Sequence, residues 1–62
     1  MEFCNKIADA QTFADYSVAA DIAAALDEEG YGARIVPFAN DYGIEVRCQD
    51  TGDRLGWLAC YE

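Results

Sequence analysis

The sequence predicts an α+β fold, one α-helix packed on a three- or four-stranded, mainly antiparallel sheet as a two-layer sandwich. Two observations predict it. Residues 12–29 carry apolar side chains at helical spacing, and residues 44–49 alternate apolar and polar at strand spacing beside a turn that can close a hairpin. The chain has 62 residues, enough for a single domain spanning 1–62 with one thin core. Eleven of its hydrophobic residues are alanines, so the larger apolar groups can fill one layer between a helix and a sheet but not two cores.

The N-terminal segment 1–11 admits two descriptions. Phe3, Asn5 and Ile7 alternate against Cys4, Lys6 and Ala8 as in a strand, while Phe3 and Ile7 also lie four apart, as on a helical turn. A short strand is preferred. For residues 12–29, Thr12 and Asp15 resemble a capping box with Asp in the Glu position, and Ser17 is an alternative cap that shortens the helix. Val18, Ile22, Ala25 and Leu26 form the expected apolar stripe. Gly30 supplies the left-handed stop.

Residues 33–39, 43–49 and 54–61 read as three strands. Asp50-Thr51-Gly52-Asp53 is a turn, and closing it pairs Gln49 with Arg54. Cys48, Val46 and Ile44 then face Leu55, Trp57 and Ala59 on the core side, while Arg47 faces Gly56 and Glu45 faces Leu58 on the other. A five-residue loop at 39–43 sets Val36 opposite Val46 and Phe38 opposite Ile44, leaving Ile35 and Leu58 on the outer face as a candidate apolar patch. Pro37 cannot donate to a ladder, so strand 33–39 belongs at an edge, and any N-terminal strand must pair beside 54–61.

Twelve acids against four bases give a net charge of −8, which argues against direct nucleic-acid binding, since a polyphosphate needs Lys and Arg to displace its counterions. No apolar run of membrane-spanning length and no basic, apolar leader is visible, so a cytoplasmic protein is expected, without membrane contact. Cys4, Cys48 and Cys60 are odd in number and lack C-x-x-C spacing, which favours reduced thiols; Cys48 and Cys60 are expected on opposite faces. With no histidine and one serine, no Ser/His/Asp or Cys/His arrangement exists, so no catalytic residue is assigned. Asp50, Asp53 and the Asp27-Glu28-Glu29 run could in principle hold a hard cation, but turn aspartates ordinarily bond their own backbone. No metal and no cofactor is assigned.

Asp27, Glu28 and Glu29 crowd the helix C-terminus, where the macrodipole disfavours negative charge and no base offsets it. Asp21 lies seven residues before Glu28 and shares its face. Two explanations stand side by side: an acidic ridge for a basic partner, or a solvated face in a salt-adapted composition. Tyr31 and Tyr42, each beside a glycine in a connection, are candidate contact anchors or rim cover for the core.

A small, strongly acidic α+β chain with the helix D-Y-S-V-A-A-D-I-A-A-A-L-D-E-E-G and the hairpin I-E-V-R-C-Q-D-T-G-D-R-L-G-W-L resembles the phage-encoded anti-CRISPR inhibitors. That resemblance is of overall character and carries no motif. It implies a non-enzymatic inhibitor in the cytoplasm of a phage host, a DNA mimic whose partner is the basic nucleic-acid-binding site of a Cas-type complex. The candidate contacts are Asp21, Asp27, Glu28, Glu29, Tyr31, Asp41, Tyr42, Asp50 and Asp53. The alternative is a small structural or assembly protein, forming a homodimer or accessory subunit through the outer sheet face.

Overall fold

A computed structural model describes residues 1–61. The elements run β1 (Glu2–Cys4), a single 3-10 turn (Ile7–Asp9), α1 (Tyr16–Glu28), β2 (Tyr31–Phe38), β3 (Asp41–Cys48) and β4 (Arg54–Cys60). The strands form one antiparallel sheet in the order β1-β4-β3-β2, with α1 laid over β2 and β3 on one face. This is the two-layer α+β sandwich. The N-terminal strand pairs beside β4, and the proline-bearing β2 takes the opposite edge. Pro37 stands opposite Tyr42, whose backbone N–H and C=O turn away to bond Phe13 at 2.8 and 2.9 Å. The missing proline donor therefore falls at a pair that exchanges no ladder bonds.

The helix begins one turn later than a Thr12 cap requires. Asp15 is the cap: its carboxylate accepts from the Ser17 backbone N–H at 3.1 Å and from the Ser17 hydroxyl at 2.9 Å. Residues 11–13 are held out of the helix by the sheet. The ladder between β3 and β4 stops at the pair Glu45–Trp57, and beyond it Gln11 donates to Leu58 while Phe13 exchanges bonds with Tyr42. Gly30, with φ 96°, ends the helix as expected. The expected stripe holds at Ile22 and Leu26 but not at Val18, whose place is taken by Ala19. Ala19 and Leu26 are fully buried with Ile22 beside them, whereas Val18 is 45% exposed.

Both flanking strands of the meander sit in a different register from the expected one: β2 is shifted by three and β4 by one at Gly56 and Trp57, odd shifts that turn those residues over, while Arg54, shifted by two across a bulge, keeps its face. Between β2 and β3 the loop is two residues, Ala39 and Asn40, closed by the pair Phe38–Asp41, with Ala39 at φ 53°. Tyr31, Ala33 and Ile35 thereby face the helix, opposite Cys48, Val46 and Ile44, and Val36 and Phe38 do not. Between β3 and β4, Glu45 pairs with Trp57 and Val46 with Gly56, but Arg47 pairs with Arg54. Leu55 is thus the extra residue of a β-bulge, 38% exposed, and Gly56 at φ 128° absorbs the kink. The core-side residues of β4 are Gly56 and Leu58, not Leu55, Trp57 and Ala59.

The core comprises Phe13, Ala19, Leu26, Ile44, Val46 and Leu58, rimmed by Phe3, Ile22, Tyr31, Ala33, Ile35, Tyr42 and Tyr61. Ile35 and Leu58 belong to it, so the apolar outer patch expected from them does not exist. The three cysteines are free. Cys48, opposite Tyr31, is on the helix side, whereas a second bulge at Ala59 sets Cys60 opposite Glu2 on the outer face, so the two lie on opposite faces as expected. They are also far apart along the strand: Cys48 is level with Asp53, seven residues before Cys60, or about 23 Å at roughly 3.3 Å per residue.

Candidate functional site

The acids at the end of α1 and those of the β3–β4 turn come together at one end of the molecule. Gln49 joins them: its side-chain amide donates to the Asp27 carboxylate at 2.6 Å and to the Tyr31 carbonyl at 2.9 Å, and its backbone N–H donates to the Gly30 carbonyl at 3.4 Å. Asp27, Glu28 and Glu29 therefore stand beside Asp50 and Asp53, all five exposed. None has a cation partner. Among the described residues the salt bridges are Arg47–Glu45 and Arg54–Glu45. The carbonyl end of the helix dipole adds to the same negative field.

The other expected contacts are not all gathered there. Asp21 is exposed on α1, seven residues and about 10 Å before Glu28. Asp41 and Tyr42 lie at the far end of β3, roughly 25 Å from the acidic end at about 3.3 Å per residue. Asp41 accepts from the Thr12 hydroxyl at 3.2 Å, and Tyr42 packs edge-on against Tyr16 with ring centres 5.3 Å apart. Tyr31 lies 6.3 Å from the ring of Phe3 and packs against the core. Both tyrosines cover the rim of the core.

The β3–β4 turn holds Cys48 at its base. Its thiol is drawn below the ordinary cysteine range by the Thr51 backbone N–H first, then by the Thr51 hydroxyl and the Asp50 backbone N–H, against the smaller opposing effects of desolvation and of the Asp50 charge.

The outer sheet face is a second site, and the sequence did not assemble it. Arg34 on β2 stands opposite Glu45 on β3, and Arg47 and Arg54 flank that same carboxylate. Arg54 donates to Glu45 through Nε at 2.9 Å, Arg47 approaches through Nη2 at 3.5 Å, and the Arg54 guanidinium lies 5.7 Å from the centre of the Trp57 ring. Ile7, from the 3-10 turn, covers Gly43 beside Trp57; a Cβ on that glycine would stand 3.3 Å from the Ile7 side chain. Glu45 is held below the ordinary glutamate range, first by the Arg54 hydrogen bond and then by the charges of Arg47, Arg54 and Arg34, against desolvation. Three of the four basic residues thus gather around one carboxylate, in a chain of net charge −8. The 44–49 alternation and the closed 50–53 turn already placed Glu45, Arg47 and Arg54 on one face; Arg34 joins them through the two-residue loop, and the bulge sets Arg54 opposite Arg47 and turns Trp57 to the same side.

No pocket is enclosed among the described residues, and no three of their His, Cys, Asp or Glu side chains converge. No helix among them is long and apolar enough to cross a membrane. Comparison with protein-family models, with curated proteins and with solved structures found no match.

Proposed function

We propose that the chain is a non-enzymatic, anti-CRISPR-like inhibitor that occupies a basic, nucleic-acid-binding site of its target with its acidic end. The observation supporting this most is the grouping of Asp27, Glu28, Glu29, Asp50 and Asp53, exposed and without a cation partner, around the negative end of α1. Holding acids there works against the helix by about 0.3–1 kcal/mol each, and a bound cation relieves that cost. Arg and Lys side chains of the target would pair with these carboxylates, and nucleic acid would be shut out by competition for the same charges. Asp21 extends the acidic surface along α1; Asp41 and Tyr42, at the far end, would be reached only by a target that wraps the molecule. The setting consistent with this action is the cytoplasm of a phage-infected host.

The assembly alternative loses its apolar outer patch, because Ile35 and Leu58 are in the core. Pull-down from a host lysate with mass spectrometry tests the proposal. A nucleic-acid-handling complex should be captured at low ionic strength and released at about 1 M salt, where screening shortens to about 3 Å. Capture that survives the high-salt wash, or no such complex at all, would contradict it.

A further inference from the structure

The molecule presents two surfaces of opposite charge that it cannot join within itself. On the outer sheet face Arg34 makes no salt bridge among the described residues, and Arg47 and Arg54, with side chains 51% and 39% exposed, share the single carboxylate of Glu45. The face keeps a local positive excess beside the flat ring of Trp57 and the side chain of Ile7. At the end formed by the helix C-terminus and the β3–β4 turn, five exposed acids have no cation. Asp53 and Arg54 are chain neighbours, yet Arg54 turns its guanidinium to Glu45 and not to Asp53. Two copies can satisfy what one cannot, since guanidinium groups accept carboxylates in bidentate pairs.

We propose that the arginine face docks the acidic end of a second copy of this chain, head to tail. The proposal does not rest on the inhibitor function, although it uses the same acidic end, so a bound target and a second copy would compete for it; sedimentation of the chain alone tests it with no target present. The contact is heterologous, so it propagates into short chains or closes into a ring. It also has an unusual salt signature. At about 10 mM salt the screening length, about 30 Å, exceeds the 22 Å breadth of the molecule, and two copies repel through their whole charge. At about 0.15 M it falls to about 8 Å, and only the facing surfaces interact; at about 1 M even those are screened. Association should therefore peak at intermediate salt.

Sedimentation velocity on the wild-type chain up to millimolar concentration reads this without any variant. Monomer throughout, or association that climbs steadily with salt as apolar contact does, would overturn the proposal. Two variants then test the polarity of the contact, each first verified as folded by circular dichroism. One is R34Q/R47Q/R54Q; the other is D27N/E28Q/E29Q/D50N/D53N. Each alone should lose about tenfold or more in association constant, since one exposed ion pair contributes up to about fivefold. Mixed together, they should recover a dimer and nothing larger, because each retains one working surface. Failure of the mixture to pair while the wild type associates would overturn the head-to-tail arrangement.

Discussion

Replacing Leu58 and, separately, Leu55 by alanine tests the bulged register of β4 directly. Leu58 is fully buried among Leu26, Ile44 and Val46, whereas Leu55 is the extra residue of the bulge and 38% exposed. Truncating a buried leucine typically costs about 2–5 kcal/mol. A 62-residue domain has about 3–9 kcal/mol of total stability, at roughly 0.05–0.15 kcal/mol per residue. Leu58→Ala should therefore remove about a fifth of the stability or more, while Leu55→Ala should cost under about 1 kcal/mol. Urea denaturation followed by the fluorescence of Trp57, the only tryptophan, gives both values. If Leu58→Ala leaves too little folded protein to titrate, Leu58→Val at about 1 kcal/mol still lowers Tm by about 4–8 °C in a domain of this size. An unbulged register buries Leu55 instead. Leu55→Ala costing as much as Leu58→Ala, or more, would refute the reasoning.

Gly56→Ala should destabilise well beyond Gly52→Ala, because a Cβ at Gly56 would stand 2.7 Å from the Cys4 carbonyl oxygen while one at Gly52 meets nothing, although both residues have positive φ; thermal melts rank them, and hydrogen exchange should show β1 loosened in the first. Glu45→Gln should lower stability at neutral pH. Because the folded-state pKa of Glu45 is depressed, its contribution is present above the ordinary glutamate value of about 4.3 and is lost as pH falls through the lower folded value. The gap between wild type and variant should thus close in acid, as followed by urea titrations across pH. Glu28→Gln/Glu29→Gln should stabilise the chain by about 0.5–2 kcal/mol at low salt through relief of the helix dipole, with the gain shrinking in thermal melts at high salt.

The fold class was legible because β3 alternates cleanly and α1 is rich in alanine between an aspartate cap and Gly30. Pro37 placed β2 at an edge without any tertiary information, and that in turn placed β1 beside β4. The faces of β2 and β4 were not legible, because a face depends on the parity of a loop. Ala39 adopts φ 53° with neither Gly nor Asn at its own position to announce it, and the bulge at Leu55 and Gly56 adds one residue that alternation alone cannot count. The helix start was masked by Thr12, whose hydroxyl serves Asp41 while its neighbour Phe13 bridges to Tyr42. The acidic ridge followed from three consecutive acids at a helix end. Its junction with Asp50 and Asp53 depends on Gln49; on the arginine face Glu45, Arg47 and Arg54 were legible together, whereas Arg34 and Trp57 reach it only in the corrected registers.

Displacement of nucleic acid from a Cas-type complex tests the central proposal most directly. Mobility-shift competition would compare the wild-type chain with D27N/E28Q/E29Q/D50N/D53N at about 50 mM and about 500 mM salt, a range over which the screening length falls by about threefold. The proposed function predicts displacement by the wild type at the lower salt, marked weakening at the higher, and little displacement by the variant. No displacement by the wild type from any such complex, or equal displacement by the folded variant, would contradict it.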